Sequence, residues 1–543
     1  TMSYKLNDRN NMKSLFMIAS IVGITMFTAC NSNEDIIETD HKVEVDGNQF
    51  TFKTEDFSTD ESSTRTSNSI GTSSKTVDLG DGIQAEVNIK QDSPVPHTRA
   101  TQAISDGHYT IYAVNTSTGT RVTGVNSKLS GTVTNGKFIT DPGMKLRLTP
   151  GNYTFVCFNN AVTDTGNGLT VNNGNDALIG TSTETISGND WKVNFIMKRQ
   201  MSRIRFNIVS YTNEGTGITG TLTSGNTYDN SITYAVDGTT KTTTTNGTLS
   251  IAQIVPSSGT VVNDAVTRTY NNATAYNYIL PGIPLNDITF TFTGGTIYSK
   301  ALTGKSLTFS NSLKTLERTG SYTVNIKLST FLFLFDDGTV GAIGDKGSRK
   351  AIAYVVKDKT ESEEGTAMAM ESPFTGRFNN TYPAVTASEN SAQFTEANWL
   401  TDIDGYKYTW ESNGSKDGTT IKALNPIYDA FNKVKDYTPS FAPVTGINVG
   451  HWYIPAMGEL YLAFKRFRIA DIKQTGWTTD YTYITPYATA AGGNNPQGFI
   501  LSSTEIIGYN GKIKETGIYT SPNMLIPFWP KSQPVNIWPF VHY

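Results

Sequence analysis

The chain has 543 residues and a formal net charge of −4, long enough for three or four domains of about 100–200 residues and without a basic field to hold nucleic acid. Charged residues make up 17%, below the roughly 25% of ordinary soluble domains, and Thr, Ser, Asn, Gly and Tyr fill the gap. β-Branched and aromatic side chains suit pleated strands, and Gly and Asn supply positive φ in turns, so the composition points to an exported, mainly β protein.

The first element is an address. Met12-Lys13 precede an apolar stretch, Leu15 to Phe27, too short to cross ~30 Å of hydrocarbon as a helix. Phe27-Thr28-Ala29-Cys30 then resembles the end of a bacterial lipoprotein signal, which implies that Cys30 is acylated, as with palmitate, and that residues 1–30 act as the signal. Residues 1–11 read as an overlong start, and an ordinary secretory signal is the alternative. Asn31 to Asp35 form an acidic tether.

Val43, Val45, Phe50 and Phe52 flank Asp46-Gly47-Asn48 and predict a strand or hairpin, and the Ser/Thr-rich stretch 58–76 reads as a linker. Ile83, Ala85, Val87 and Ile89 alternate with polar residues, which places four apolar side chains on one face of a strand. Ser93-Pro94-Val95-Pro96 ends its pairing, because proline has no N–H for the ladder. From Ala100 to about residue 329, short strands and turns continue, clearest at Tyr109–Val114, Leu146–Leu148, Tyr153–Phe158, Val193–Ile196, Arg203–Ile208, Ile288–Phe292 and Tyr322–Ile326. This pattern predicts two β-sandwiches, with the Thr/Gly/Asn-rich region 211–250 in the second. Cys157 has no partner if Cys30 carries lipid, and reads as a small buried hydrophobe.

Near residue 330 the composition changes, and six of the seven tryptophans lie beyond it. Asn425-Pro426 opens a predicted helix with Ile427, Phe431 and Val434 on one stripe. A second starts near Pro455 with Met457, Leu460, Phe464 and Phe467 on one side, which makes the third domain α+β.

The lipoprotein-like signal at Cys30, the isolated strand 83–90 and Thr98-Arg99-Ala100 before Asp106-Gly107-His108-Tyr109-Thr110-Ile111-Tyr112 together resemble the fimbrillins of type V pili. The resemblance implies a signal (1–30), a propeptide with tether and first strand (31–99), two transthyretin-like or Ig-like fimbrillin sandwiches (100–205 and 206–329) and a C-terminal domain (330–543). It also implies that an arginine-specific surface protease cuts between Arg99 and Ala100, that the strand carrying Ile83, Ala85, Val87 and Ile89 is displaced, and that another fimbrillin subunit fills the groove by donor-strand exchange. The precursor would sit on the outer membrane through its lipid, and the mature protein in an extracellular fimbrium.

Asp337-Gly338-Thr339-Val340-Gly341, His451-Trp452-Tyr453-Ile454-Pro455-Ala456-Met457-Gly458-Glu459-Leu460 and Leu501-Ser502-Ser503-Thr504-Glu505 resemble C-type-lectin-like modules. That resemblance makes Trp452, Tyr453 and Glu459 a candidate ligand surface. Alternatively, the two rings are core and Glu459 complements a helix dipole. Five histidines without ligand spacing, and no zinc, P-loop, Rossmann or nucleophile-elbow pattern, predict no enzyme, no cofactor and no metal. Gly492 to Gln497 reads as a plain surface loop. The expected role is a pilus tip or accessory adhesin for a host or bacterial protein or glycan. The alternatives are a structural stalk subunit and an uncleaved glycan-binding surface lipoprotein.

Overall fold

Two-residue alternation of apolar and polar side chains gives each strand one face for a core, and most of the chain is built this way. The computed structural model describes residues 42–543 except 58–73, 93–100, 189–190, 256–259, 263–267, 310–314, 474–477, 509 and 521–523. Cys30, Arg99 and Ala100 lie outside the described residues, as does most of the expected linker. Among the described residues no helix is long and apolar enough to cross a membrane.

Four N-terminal strands come first: β1 (Val43–Val45), β2 (Phe50–Glu55), β3 (Lys75–Gly80) and β4 (Ile83–Gln91). β1 forms one end of a ten-stranded sheet and β2 lies next to the other, with Lys145–Leu148, Ser127–Thr134, Gly107–Asn115, Gly151–Asn159, Leu178–Ile186 and Val193–Arg199 between them and Thr101–Ala103 at the far edge outside β2. Ile111, Leu129, Leu146, Phe155 and Phe195 fill its core. Cys157 is fully buried there, and burial pushes its thiol well above the ordinary range.

A hairpin across Asp46-Gly47-Asn48 does not form. Asp46 instead caps a single 3₁₀ turn, its Oδ1 accepting the Asn48 N–H at 2.9 Å while Gln49 Oε1 accepts the Asp46 N–H at 2.8 Å. That turn sends the chain across the sheet, so β1 runs antiparallel to Lys145–Leu148 and β2 parallel to Val193–Arg199.

Two seven-stranded sheets follow, face to face. One holds Thr216–Ala235, Lys241–Ile254 and Ile288–Ile297; the other holds Ser202–Tyr211, Ser321–Ser329, β4 and β3. Their inward residues, including Phe206, Val324, Ile326, Leu222, Phe290 and Phe292, form one core, with the Phe206 and Phe290 rings 4.9 Å apart.

Among the described residues beyond 330, two five-stranded sheets carry four α-helices: α1 (Gly405–Trp410), α2 (Asp429–Lys435), α3 (Met457–Arg466) and α4 (Thr485–Ala491). α3 buries Met457, Leu460 and Phe464, with Phe467 just past its end. The first expected helix starts later than Asn425. Asn425 closes a 3₁₀ turn, its Oδ1 accepts the Ile427 N–H at 3.1 Å, and Ile427 is exposed while Phe431 and Val434 are buried. The last strand, Phe540–His542, pairs with Thr366–Ala369, and Tyr543 is fully buried.

Candidate functional site: one N-terminal segment in two sheets

β4 lies beside Ser321–Ser329 in antiparallel register, Val87 opposite Ile326 and Ile89 opposite Val324, and β3 covers its other edge. Ile83 and Ala85 are fully buried, Val87 and Leu79 nearly so, and Ile89 is half-buried against the same core. Ile83, Ala85, Val87 and Ile89, the residues expected on a displaced strand, therefore share one inward face, as their alternation requires. Asp92 fastens the far end. Its Oδ2 accepts the Ser321 hydroxyl at 2.5 Å and the Tyr276 hydroxyl at 2.8 Å, and its Oδ1 accepts Thr323 Oγ1 at 2.6 Å. Burial alone would raise this carboxyl, but the three hydrogen bonds outweigh it and hold Asp92 below the usual range.

The same segment also completes the first sheet. Phe50 and Phe52 of β2 stack on Phe195 at 5.7 and 5.6 Å. Glu55, at the end of β2, receives both Arg318 amino groups at 2.6 and 2.8 Å; burial raises its carboxyl and the Arg318 contacts bring it below normal. Phe57 lies under the guanidinium groups of Arg199 and Arg203 at 4.2 and 3.9 Å. Residues 43–57 and 75–92 thus hold places in both sheet systems.

Trp452, Tyr453 and Glu459 are interior and offer no surface to a ligand. Tyr453 is fully buried, and its hydroxyl donates to Glu459 Oε1 at 2.6 Å while lying 3.0 Å from His542 Nε2. Glu459 Oε2 accepts the Ala456 N–H at 2.8 Å, which caps α3. Burial nevertheless dominates, and the Glu459 carboxyl is pushed up to about 8. The Trp452 ring packs against Tyr437 at 4.9 Å.

A buried ion cluster in the same domain escaped sequence reasoning. Lys531, fully buried, donates to Ala387 O and Glu389 Oε2 at 2.9 Å each and to the Glu505 carboxylate. Glu505 also accepts the backbone N–H groups of Glu389 and Asn390 at 2.8–3.0 Å. Burial lowers the nearby Lys422 ammonium to about 8, and Lys422 donates to Ser415 Oγ at 2.8 Å. A signal existed in Glu505, a charge inside the otherwise uncharged strand Phe499–Ile507. These contacts pin loops over the sheet, and among the described residues no three His, Cys, Asp or Glu side chains gather to hold a metal.

No family model matches the chain, and no curated protein matches it in sequence. Among solved structures it is similar to a fimbrial protein of Bacteroides ovatus, at 11% identity over 91% of this chain and 99% of that one, with a TM-score of 0.24. It is also similar to a Bacteroides fragilis protein with a proposed role in cell adhesion, at 12% identity over 51% and 92%, with a TM-score of 0.32. A third neighbour is the fimbrial anchor protein Mfa2 of Porphyromonas gingivalis, at 12% identity over 36% and 76%, with a TM-score of 0.18. These neighbours carry the names of adhesion and fimbrial proteins. Likeness this distant carries no argument for this chain.

Proposed function

We propose that the chain is a subunit of a cell-surface pilus, anchored on the outer membrane through Cys30, cut after Arg99 and assembled by strand exchange with other subunits. The observation that supports this reading is the placement of residues 43–57 and 75–92 in both sheet systems. Removing Leu79, Ile83 and Val87 alone uncovers three large buried side chains' worth of core, at ~1.5–3 kcal/mol each. An apolar sheet edge of that kind requires an occupant, and an equivalent strand from another subunit supplies both the backbone bonds and the alternating side chains.

For the position in the fibre, the pairing of the described strands favours a tip or accessory place. Every described strand is already paired; Phe540–His542 forms one edge of its sheet, paired to Thr366–Ala369, with Tyr543 buried beside it. A subunit that accepts a strand and offers none of its described strands belongs at a tip or accessory position. The lectin-like residues 330–543 then face outward as an adhesin for a protein or glycan receptor, without enzymatic chemistry.

The test is N-terminal sequencing of the protein from surface fibres, together with immunogold labelling against residues 330–543. The expected results are a mature start at Ala100 and label at fibre ends. A mature start at Cys30 refutes the maturation step, Arg99→Ala should leave a larger precursor, and label spaced evenly along the shaft favours a stalk role.

A further inference from the structure

Backbone pairing alone leaves the register of a strand in the β4 position open. A slip of two residues preserves both the ladder and the inward face, because side chains repeat with period two. Something at the end of the sheet must reject the slipped strand.

The turn between β3 and β4 supplies the contact. Gly80, Asp81 and Gly82 all have positive φ, and the turn borders a cleft of about 810 Å³ shared with the residue 330–543 domain. A Cβ on Gly82 would lie 1.8 Å from the Tyr487 hydroxyl. The Tyr487 ring stacks on Phe331 at 4.6 Å and meets Tyr483 at 5.4 Å, so its hydroxyl can yield only toward the cleft and at the cost of those ring contacts. Gly82 O accepts the Thr330 hydroxyl at 3.1 Å. Arg468, held over the Tyr483 ring at 4.3 Å, reaches Asp78 at 3.6 Å. Lys305 donates to Leu79 O and to Asp81 Oδ2, each at 2.7 Å.

We propose that the C-terminal domain is an end stop that sets the register of any strand occupying the β4 position, with Tyr487 demanding a residue without a side chain and Arg468 a carboxylate. The occupant it selects after maturation is a strand of a second subunit with glycine at the level of Gly82. This rests on the strand-exchange reading. A strand advanced by two residues brings a side chain such as that of Gln84 to the Gly82 position, where Tyr487 excludes it. The selecting residues belong to a domain that makes no backbone bond to β4, so the stop acts on register rather than on sheet affinity.

The full chain is cleaved after Arg99, and exchange of its resident segment against a labelled synthetic peptide of residues 75–92 is followed by fluorescence anisotropy. A Gly82→Ala peptide should bind at least about 100-fold more weakly than the natural one to the wild-type body. On a Tyr487→Ala body the gap should close to about tenfold, the cost of positive φ for an L residue. An equal gap on both bodies overturns the end stop and leaves strand exchange standing. If the natural peptide does not exchange, strand exchange itself fails, and the stop is then decided on the uncleaved chain. There Gly82→Ala should lower the melting midpoint markedly with Tyr487 present and much less in Tyr487→Ala; additive effects would overturn the stop.

Discussion

Ile83 and Ile89 sit on the same face of β4, but Ile83 is fully buried and Ile89 only half-buried. Truncating Ile83 to alanine leaves a cavity and should cost about 2–5 kcal/mol. Truncating Ile89 should cost about 1 kcal/mol, because part of its surface is already in water. β3 and β4 occupy one edge of their sheet, so the loss should appear as opening of the hairpin rather than of the whole sandwich. Amide hydrogen exchange followed by mass spectrometry reads that opening directly. At about 1.4 kcal/mol per tenfold, Ile83→Ala should reduce protection in residues 83–91 by roughly 30-fold to several thousand-fold, and Ile89→Ala by less than about tenfold. Ser202–Tyr211, on the other side of Ser321–Ser329, should keep its protection in both variants. Equal losses from the two substitutions, or an equal loss in Ser202–Tyr211, would show that β3 and β4 are not a separable unit.

Lys531→Met should destabilise the protein by about 3–5 kcal/mol, seen as a lower melting midpoint, because the Glu389 and Glu505 carboxylates lose their buried counter-charge; adding Glu505→Gln should recover part of the loss. Glu459 binds its proton more tightly folded than unfolded, so its contribution to stability is full below about 4.5 and is lost as pH rises to about 8. Glu459→Gln should flatten that decline in melting midpoint between pH 5 and 8, and an unchanged slope would contradict the burial argument. Cys157 should resist alkylation in the native protein and react fully in denaturant, as a fully buried thiol with a raised pKa must.

Strands were legible wherever one face is buried and the other wet, as in Ile83–Lys90 and Arg203–Ile208. The helix at Met457 was legible because four apolar residues fall on one turn-to-turn stripe. Sheet membership was not, since β2 meets Val193–Arg199 only because Asp46 caps a turn that any hairpin sequence could equally contain. Asn425-Pro426 misled for a related reason: Asn425 does use its side chain to bond a nearby N–H, but from the end of a 3₁₀ turn and ahead of the helix that starts at Asp429. Trp452 and Tyr453 carry no mark in sequence that separates core from sugar platform. Lys531 follows Trp529-Pro530 and reads as loop surface, and its burial depends on Glu389 and Glu505, two carboxylates far away along the chain.

The placement of β2 and β4 also bears on how the chain folds. Each is synthesised early, yet its partner strand comes much later, at Val193–Arg199 for β2 and Ser321–Ser329 for β4. Closing loops of that length is entropically slow, so the local hairpin of Thr216–Ala235 with Lys241–Ile254 forms ahead of them. On loop length the N-terminal strands should therefore join both sheets after that hairpin. A segment inserted late can be withdrawn without reversing the steps before it.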